Sequence, residues 1–186
     1  MFKANILQDF ISKEDCKYLI DAAIASDLWA GGGSEFWNGR VINYHSIGQY
    51  DRNAAVIMLD ANIRCGQRIK ELFNLEEVYS DTLQIIRWFP GMEQPPHADD
   101  MSNTDTVGFD HRAFGSIIYL NDDYAGGHTY YPNFDFEVVP KAGALAIHPG
   151  DPEHLHGVTK IEDGMRYTIA SFWTKEKWKS HDWPIY

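Results

Sequence analysis

The first apolar pattern in the chain has the spacing of an amphipathic helix. Apolar side chains recur every three or four positions at Cys16, Leu19, Ile20 and Ala23. Ser12 stands before them as a candidate N-cap, and two acidic residues follow it in what would be the first turn. This pattern predicts a helix over residues 13–26.

A second helix is predicted over residues 53–73. Its apolar stripe would be formed by Val56, Leu59, Ile63 and Ile69. The segment 28–50, which lies between the two helices, holds three consecutive glycines and an Asn38-Gly39 pair. These are turn signals, so we predict a loop and a hairpin there.

The pattern changes after residue 82 to short apolar and β-branched runs bounded by turn residues. They lie at 83–88, 113–120, 128–131, 136–139, 144–148 and 165–173. Runs of this length and spacing are typical of a sandwich or barrel. We therefore predict an α+β fold in which N-terminal helices pack on a double-stranded β-helix (jelly roll) core. At 186 residues we expect a single domain over 1–186, helical to about 80 and strand-rich from about 81 to 175.

Composition narrows the class of partner and the compartment. The formal net charge is −11, with 16 basic and 27 acidic residues, and no basic cluster stands out that would bind phosphates, so nucleic acid is not an expected partner. The sequence has neither a signal-peptide pattern at residues 1–9 nor an apolar run of about 20 residues, so we expect no membrane association. Cys16 and Cys65 are expected to be reduced and buried inside helices, which favours a cytoplasmic protein.

The chemistry of the chain centres on His97 and Asp99. Residues i and i+2 of an extended segment point the same way, so both side chains can reach one metal ion. Two imidazoles and one carboxylate on one face of a metal are the ligand set of non-haem Fe(II) oxygenases. Asp100 is an alternative to Asp99 if the segment twists, although the i+2 spacing favours Asp99.

The second imidazole has two candidates, His154 and His156, which share strand parity. The glycine after His156 and the spacing of ten residues to Arg166 favour His156. Arg166 begins an apolar strand, where a buried guanidinium needs an anionic partner, preferably a carboxylate held by two hydrogen bonds. The sequence offers no obvious internal partner, so a carboxylate ligand is expected, and Tyr119 is a candidate second donor to it.

These residues stand in a longer pattern that resembles the Fe(II)/2-oxoglutarate dioxygenase superfamily, and within it the prolyl 4-hydroxylase-like family. The resemblance covers about 84–173, and the start of the chain at 9–12 is also similar. The matching stretches are LQIIRWFPG at 83–91, HAD at 97–99, IYLN at 118–121, GGHT at 126–129, PKAG at 140–143 and HGVTKIEDGMRY at 156–167. The resemblance implies that His97, Asp99 and His156 bind Fe(II), that Arg166 holds the distal carboxylate of 2-oxoglutarate, and that Tyr119 assists it.

The same resemblance implies a reaction. An Fe(II)-, O2- and 2-oxoglutarate-dependent dioxygenase, with ascorbate as reductant, would hydroxylate an unactivated C–H bond and release succinate and CO2. Peptidyl proline is the first expected substrate, and a free amino acid or other small molecule is the alternative. From other classes, we also weigh a nucleic-acid demethylase and a non-catalytic jelly-roll binding module. Trp88, Gln94 and His128 depart from residues common in the family, which bears on specificity for proline.

Overall fold

The computed structural model describes residues 5–31, 34–100 and 109–184. Its first long helix, α1, is Lys13–Ser26, as predicted. The Ser12 side chain accepts a hydrogen bond from the backbone N–H of Asp15, and Asp27 ends the helix in the left-handed conformation. The second long helix, α3, is Arg52–Phe73, and the Asp51 side chain caps it by accepting from the N–H of Ala54.

The predicted apolar stripe of α3 was wrong at two of its four positions. Val56 and Ile63 are 48% and 53% exposed, whereas Ile69 is buried. Most of the buried face consists of small side chains, and they are Ala54, Ala55, Ala61, Cys65 and Gly66. The cause is close packing on the sheet, since a Cβ at position 66 would lie 2.9 Å from the indole of Trp173.

The segment 28–50 also differs from its prediction as a loop and hairpin. It contains strand β2 (Val41–Asn43) and a short helix, α2 (Tyr44–Tyr50). The side chain of Asn43 caps this helix by accepting from the N–H of Ser46, and Tyr44 and Ile47 are buried in the core. Two of the three glycines, at positions 32 and 33, lie outside the described residues.

The strands form two larger antiparallel sheets. The major sheet has the order β1-β9-β5-β12-β3-β2, the minor sheet has the order β4-β10-β7-β8, and β11 pairs with β6. The remaining bounds are β1 Asn5–Leu7, β3 Tyr79–Trp88, β4 Gln94–His97, β5 Phe114–Tyr119, β6 Ala125–Gly126, β7 Thr129–Tyr131, β8 Phe136–Val138, β9 Leu145–Pro149, β10 His156–Val158, β11 Ile161–Asp163 and β12 Arg166–Thr174. The predicted α+β fold, with helices packed on a double-stranded β-helix core, is confirmed.

Strand β12 shows how the major sheet separates the core from the cavity. Tyr167, Ile169 and Trp173 belong to the hydrophobic cluster shared with the helices. Arg166, Thr168, Ala170 and Phe172 line a cavity instead, as the alternation of side chains along a strand requires. Among the residues that the structure describes, no helix has both the length and the apolar character needed to cross a lipid bilayer.

Candidate functional site

The candidate site is a cavity lined by residues of both sheets. The major sheet contributes residues of β3, β5, β9 and β12, and the minor sheet contributes residues of β4, β7 and β10. The free space in it is about 520 Å³, counting the part open to solvent. Most of the wall is apolar, and the polar side chains lie in two groups, one around Asp99 and the other around Arg166.

The first group brings together His97, Asp99 and His156. One ligand atom from each of the three side chains lies within 4.8 Å of the other two. The cause is strand pairing, because His97 and His156 stand opposite each other in β4 and β10, with ring centroids 4.5 Å apart. Asp99 lies two residues after the end of β4 and belongs to the loop that follows it. The prediction that it lies in an extended segment is wrong. Two imidazoles and one carboxylate in this arrangement fit a metal ion.

The hydrogen bonds of both histidines turn the same nitrogen toward the cluster. Nδ1 of His97 lies 3.1 Å from the carbonyl oxygen of Pro95, and Nδ1 of His156 lies 3.3 Å from that of His154. A neutral ring that donates from Nδ1 has its lone pair on Nε2, and the Nε2 atom of His156 lies 3.5 Å from Oδ1 of Asp99. Fixing the tautomer through the second nitrogen is typical of metal-binding histidines.

The electrostatics of the cluster favour a cation. Burial raises the pKa of Asp99, but the neighbouring histidines, His156 first, outweigh it and lower the pKa to about 2. Burial lowers the pKa of His156, but Asp99 outweighs it and raises the pKa. The pKa of His97 is lowered by burial and by His156. Asp99 is therefore an ionised, 4% exposed carboxylate to which positive charge is attracted.

The two alternative ligands of the sequence lie elsewhere. Nδ1 of His154 is 2.7 Å from Oδ1 of Asp151, and its ring stacks on Phe134. The backbone N–H of Asp100 donates to the carbonyl of Gly150, and its side chain is not part of the ligand cluster. The geometry therefore favours His156 over His154 and Asp99 over Asp100.

The second polar group surrounds Arg166, which is buried, with 2% of its surface exposed. Its Nη2 lies 3.4 Å from Oγ1 of Thr129, a long contact, and its Nε has no hydrogen-bond partner in the described part of the chain. Within residues 5–31, 34–100 and 109–184, no Asp or Glu oxygen comes within ion-pair distance of this guanidinium. A buried cation of this kind is costly unless an anion is bound to it.

A second buried arginine adds positive charge on the same side of the cavity. Trp88 lies on the cavity wall. The Cζ atom of Arg40 is 4.1 Å from its ring centroid, and the Cζ atom of Arg166 is 5.4 Å from it. Burial, and to a smaller extent the charge of Arg166, lowers the pKa of Arg40 to about 10. Arg40 is still protonated at neutral pH, so this end of the cavity attracts a carboxylate.

Tyr119 lies behind the wall of the cavity. Its buried hydroxyl is 2.7 Å from Oγ1 of Thr129, and its ring is 5.4 Å from the Cζ atom of Arg166. Thr129, which lies on the wall itself, was missed by sequence reasoning, although it belongs to the GGHT stretch. Alternation along β7 turns Thr129 and Tyr131 to the side opposite Tyr130, but a strand of three residues is too short for the sequence alone to show this.

The three residues that depart from the family pattern take different places. The imidazole of His128 forms an ion pair with Glu137 near the surface. Trp88 and Gln94 line the cavity, and the amide Nε2 of Gln94 is 3.3 Å from Nε2 of His97. His148, which the sequence analysis did not single out, is a further polar residue in the wall, with its Nε2 3.1 Å from Oδ2 of Asp99.

Two histidines and one aspartate in the cavity of a double-stranded β-helix define the class of non-haem iron oxygenases. Residues 83–174 match the model of the 2OG-Fe(II) oxygenase superfamily, and the chain belongs to that family. It is accordingly a 2-oxoglutarate-dependent dioxygenase, and Fe(II), 2-oxoglutarate and O2 are the metal, cosubstrate and oxidant of its reaction.

Similar proteins agree with this family. A putative prolyl 4-hydroxylase of Acanthamoeba polyphaga mimivirus is 26% identical over 77% of this chain and 67% of its own. The viral collagen prolyl hydroxylase of Paramecium Bursaria Chlorella virus-1, in its 2OG complex, has a TM-score of 0.71 at 18% identity, covering 93% and 96% of the two chains. A prolyl hydroxylase of Trichoplax adhaerens, in complex with a hypoxia-inducible-factor peptide, has a TM-score of 0.62 at 17% identity, covering 94% and 84%.

Proposed function

We propose that this chain hydroxylates proline residues in peptides, with Fe(II) bound by His97, Asp99 and His156 and the distal carboxylate of 2-oxoglutarate bound by Arg166. The observation that carries the proposal is the buried guanidinium of Arg166, which has no carboxylate partner among the described residues and shares one cavity with the ligand cluster. When bound, Fe(II) and 2-oxoglutarate supply the oxidising chemistry, in which O2 and the 2-oxo acid are converted to succinate, CO2 and a hydroxylated C–H bond.

At the metal end, residues of the chain orient the ligand atoms that would hold the ion. The carbonyls of Pro95 and His154 keep the two Nδ1 protons in place, so that the Nε2 lone pairs of His97 and His156 stay directed to the cluster. Asp99 adds the negative charge that a dication requires. These three side chains would hold the ion from the protein side and leave it accessible to small molecules in the cavity.

At the other end, Arg166 supplies the charge that positions the cosubstrate. Its guanidinium can donate to a carboxylate through two N–H groups, which fixes the orientation of a planar anion. The hydroxyl of Thr129 is in reach of the same anion, and Tyr119 holds that hydroxyl from behind at 2.7 Å. Apolar side chains between the two ends keep water out, and they include Ile86, Ile117, Val158 and Ala170.

A groove outside the cavity supports a peptide as the substrate. Gln94 lines both the cavity and this groove, whose other walls are formed by residues of β4, β7, β10 and the segment after β10. An open groove that shares Gln94 and Val158 with the cavity suits an extended chain better than an isolated amino acid. The relatives named as prolyl hydroxylases support proline as the residue that is hydroxylated.

Two further parts of the proposal concern the reaction conditions. Ascorbate is proposed as the reductant that keeps the iron ferrous. Cys16 and Cys65 are free and buried, and burial raises their pKa to about 11 and 12. Unpaired thiols of this kind support a reducing compartment such as the cytoplasm.

The test is mass spectrometry of peptides after incubation with the protein, Fe(II), 2-oxoglutarate and ascorbate. A proline-containing peptide should gain one oxygen atom on proline, with one succinate formed for each hydroxyl group. The matched controls are the same peptide with alanine in place of proline and the Asp99→Ala variant, neither of which should give product.

Other outcomes would overturn the substrate assignment. A hydroxyl group found only on another residue, such as lysine, would contradict proline. Oxidation of a free amino acid and of no peptide would contradict the peptide. Succinate formation stimulated only by methylated single-stranded nucleic acid would replace hydroxylation of peptides with demethylation.

A further inference from the structure

The two oxygens of Asp99 have different surroundings. Oδ1 faces the ligand cluster, 3.5 Å from Nε2 of His156. Oδ2 lies on the other side of the carboxylate, 3.1 Å from Nε2 of His148. Both Asp99 and His148 are buried, at 4% and 1% exposure, so water has little access to this second oxygen. His148 is not part of the ligand cluster itself.

The other nitrogen of His148 is also occupied. The hydroxyl of Tyr131 lies 2.7 Å from Nδ1 of His148. Burial raises the pKa of Tyr131 well above its ordinary value, so the phenol keeps its proton and can donate it to Nδ1. An imidazole whose Nδ1 accepts from the Tyr131 hydroxyl is the neutral form, which has one N–H. That N–H must then be on Nε2, where it donates to Oδ2 of Asp99.

The backbone leaves space for this pair of side chains. Gly115 of β5 stands opposite His148 of β9 in the major sheet. A Cβ built on Gly115 would overlap both Nε2 of His148 and Oδ2 of Asp99. The close approach of imidazole and carboxylate therefore depends on glycine at this position, and this observation is independent of the hydrogen bonds.

We propose that His148 is a positioning residue of the metal centre, which holds Oδ2 of Asp99 so that Oδ1 alone faces the ligand cluster, with Tyr131 fixing the tautomer of His148. A carboxylate that is free to rotate can present both oxygens and occupy a position that the cosubstrate or O2 needs. The inference rests on the ligand set His97, Asp99 and His156 proposed above.

The experiment measures Co(II) binding to the purified protein by titration and by the visible absorption of the bound ion, without turnover. His148→Leu should weaken Co(II) binding by about 10–100-fold, as the loss of such supporting groups does elsewhere, and should change the absorption spectrum. His148→Gln should retain most of the affinity and the spectrum, because its amide N–H can take the place of Nε2–H. Circular dichroism and the melting temperature report on folding separately.

Two variants keep His148 and disturb its partners. Tyr131→Phe removes the hydroxyl that fixes the tautomer, and Gly115→Ala forces the imidazole and the carboxylate apart. Both should weaken Co(II) binding, Gly115→Ala more than Tyr131→Phe. His128→Leu is the matched control, since it removes an imidazole that contacts Glu137 near the surface, and it should bind Co(II) like the wild type.

Each result decides a different point. Wild-type affinity and spectrum in His148→Leu would overturn the inference, and so would a His148→Gln variant that binds no better than His148→Leu. If His148→Leu does not fold, unchanged Co(II) binding in both Tyr131→Phe and Gly115→Ala would overturn it instead. If the wild type binds no Co(II) while 2-oxoglutarate still binds, the ligand set is wrong and the inference falls with it.

Discussion

The two ends of the cavity are built on opposite electrostatic principles. Around Asp99, Nδ1 of His97 and Nδ1 of His156 each lie within hydrogen-bond distance of a backbone carbonyl. Oδ2 of Asp99 lies within hydrogen-bond distance of Nε2 of His148. Around Arg166, the buried guanidinium has one long hydrogen bond, to Thr129, and its Nε has no hydrogen-bond partner within residues 5–31, 34–100 and 109–184. The protein therefore pre-organises the metal end by itself, whereas the arginine end is complete only when an anion is bound.

This difference predicts how each end responds to substitution. A pre-organised ligand set fails when one member is lost, because the others cannot hold the geometry. A substitution at an incomplete cationic site lowers the affinity for the anion. It destabilises the ligand-free protein less, since a buried charge without a partner is itself unfavourable. Substitutions at the two ends of the cavity therefore separate these two behaviours.

The largest effect is expected from removing one metal ligand. His97→Ala, Asp99→Ala and His156→Ala should each abolish Fe(II)-dependent succinate formation, because two remaining side chains do not define one face of the ion. The measurement is 2-oxoglutarate turnover at saturating iron, with circular dichroism as the control for folding. Turnover near the wild-type rate in a folded variant would remove that residue from the ligand set.

Arg166→Ala should act on the cosubstrate and not on the metal. Loss of a charge-assisted bidentate pair costs roughly 3 kcal/mol, so the apparent KM for 2-oxoglutarate should rise about 100-fold. Iron affinity should change little, because Arg166 is not in the ligand cluster. Steady-state kinetics and an iron titration measure the two quantities separately.

The conservative control is Arg166→Lys. An ammonium keeps the charge but not the planar, two-point geometry, so its KM should lie between those of wild type and Arg166→Ala. An unchanged KM in Arg166→Ala would show that the cosubstrate carboxylate is bound elsewhere.

The same contrast can be followed in the stability of the protein without ligands. Arg166→Met removes an unpaired buried charge and keeps most of the side-chain volume, so it should raise the free energy of unfolding by about 1–3 kcal/mol. Chemical denaturation in the absence of iron and 2-oxoglutarate measures this change. Added 2-oxoglutarate should then stabilise the wild type but not Arg166→Met.

Arg112→Met is the matched control, with the opposite expected sign. Nε of Arg112 lies 3.1 Å from Oδ2 of buried Asp81, which also contacts His111. Breaking this pair should destabilise the protein by about 2–3 kcal/mol. A destabilised Arg166→Met would mean that the guanidinium is satisfied in the empty protein and that the two ends of the cavity are alike.

The fold was predictable where a pattern extended over many residues. Helix α1 and the long strands have periodicity and boundary signals of their own, and their positions were predicted to within a few residues. Strands β4 and β10 were not predicted, because three or four residues are too few for alternation to be visible, and they exist because neighbours pair with them. The buried face of α3 was predicted wrongly because small residues carry no strong apolar signal, although close packing requires them.

The site was predictable where residue type limits the chemistry. Few residue types can bind a metal ion or a carboxylate. The resemblance to the family gives the order in which these residues follow one another along the chain. His148 and Thr129 were not found, because an imidazole or hydroxyl inside an apolar strand has no sequence signal that distinguishes a functional neighbour from a core residue. Their roles follow from contacts across the sheets, such as the one between β9 and the loop after β4.

The smallest effect is expected from His154→Ala, which tests whether the metal end depends on the peptide backbone at this position and not on the side chain. The carbonyl oxygen of His154 accepts from Nδ1 of His156, and this group remains after any substitution. Asp151 caps the short turn Pro152–His154 through the backbone N–H groups of Glu153 and His154, so the turn should persist without the imidazole. Iron affinity and turnover should stay within about threefold of wild type, a difference of less than 1 kcal/mol. Loss of iron binding in His154→Ala, together with retention in His156→Ala, would reverse the choice between the two histidines and would move the third ligand out of the pair formed by β4 and β10.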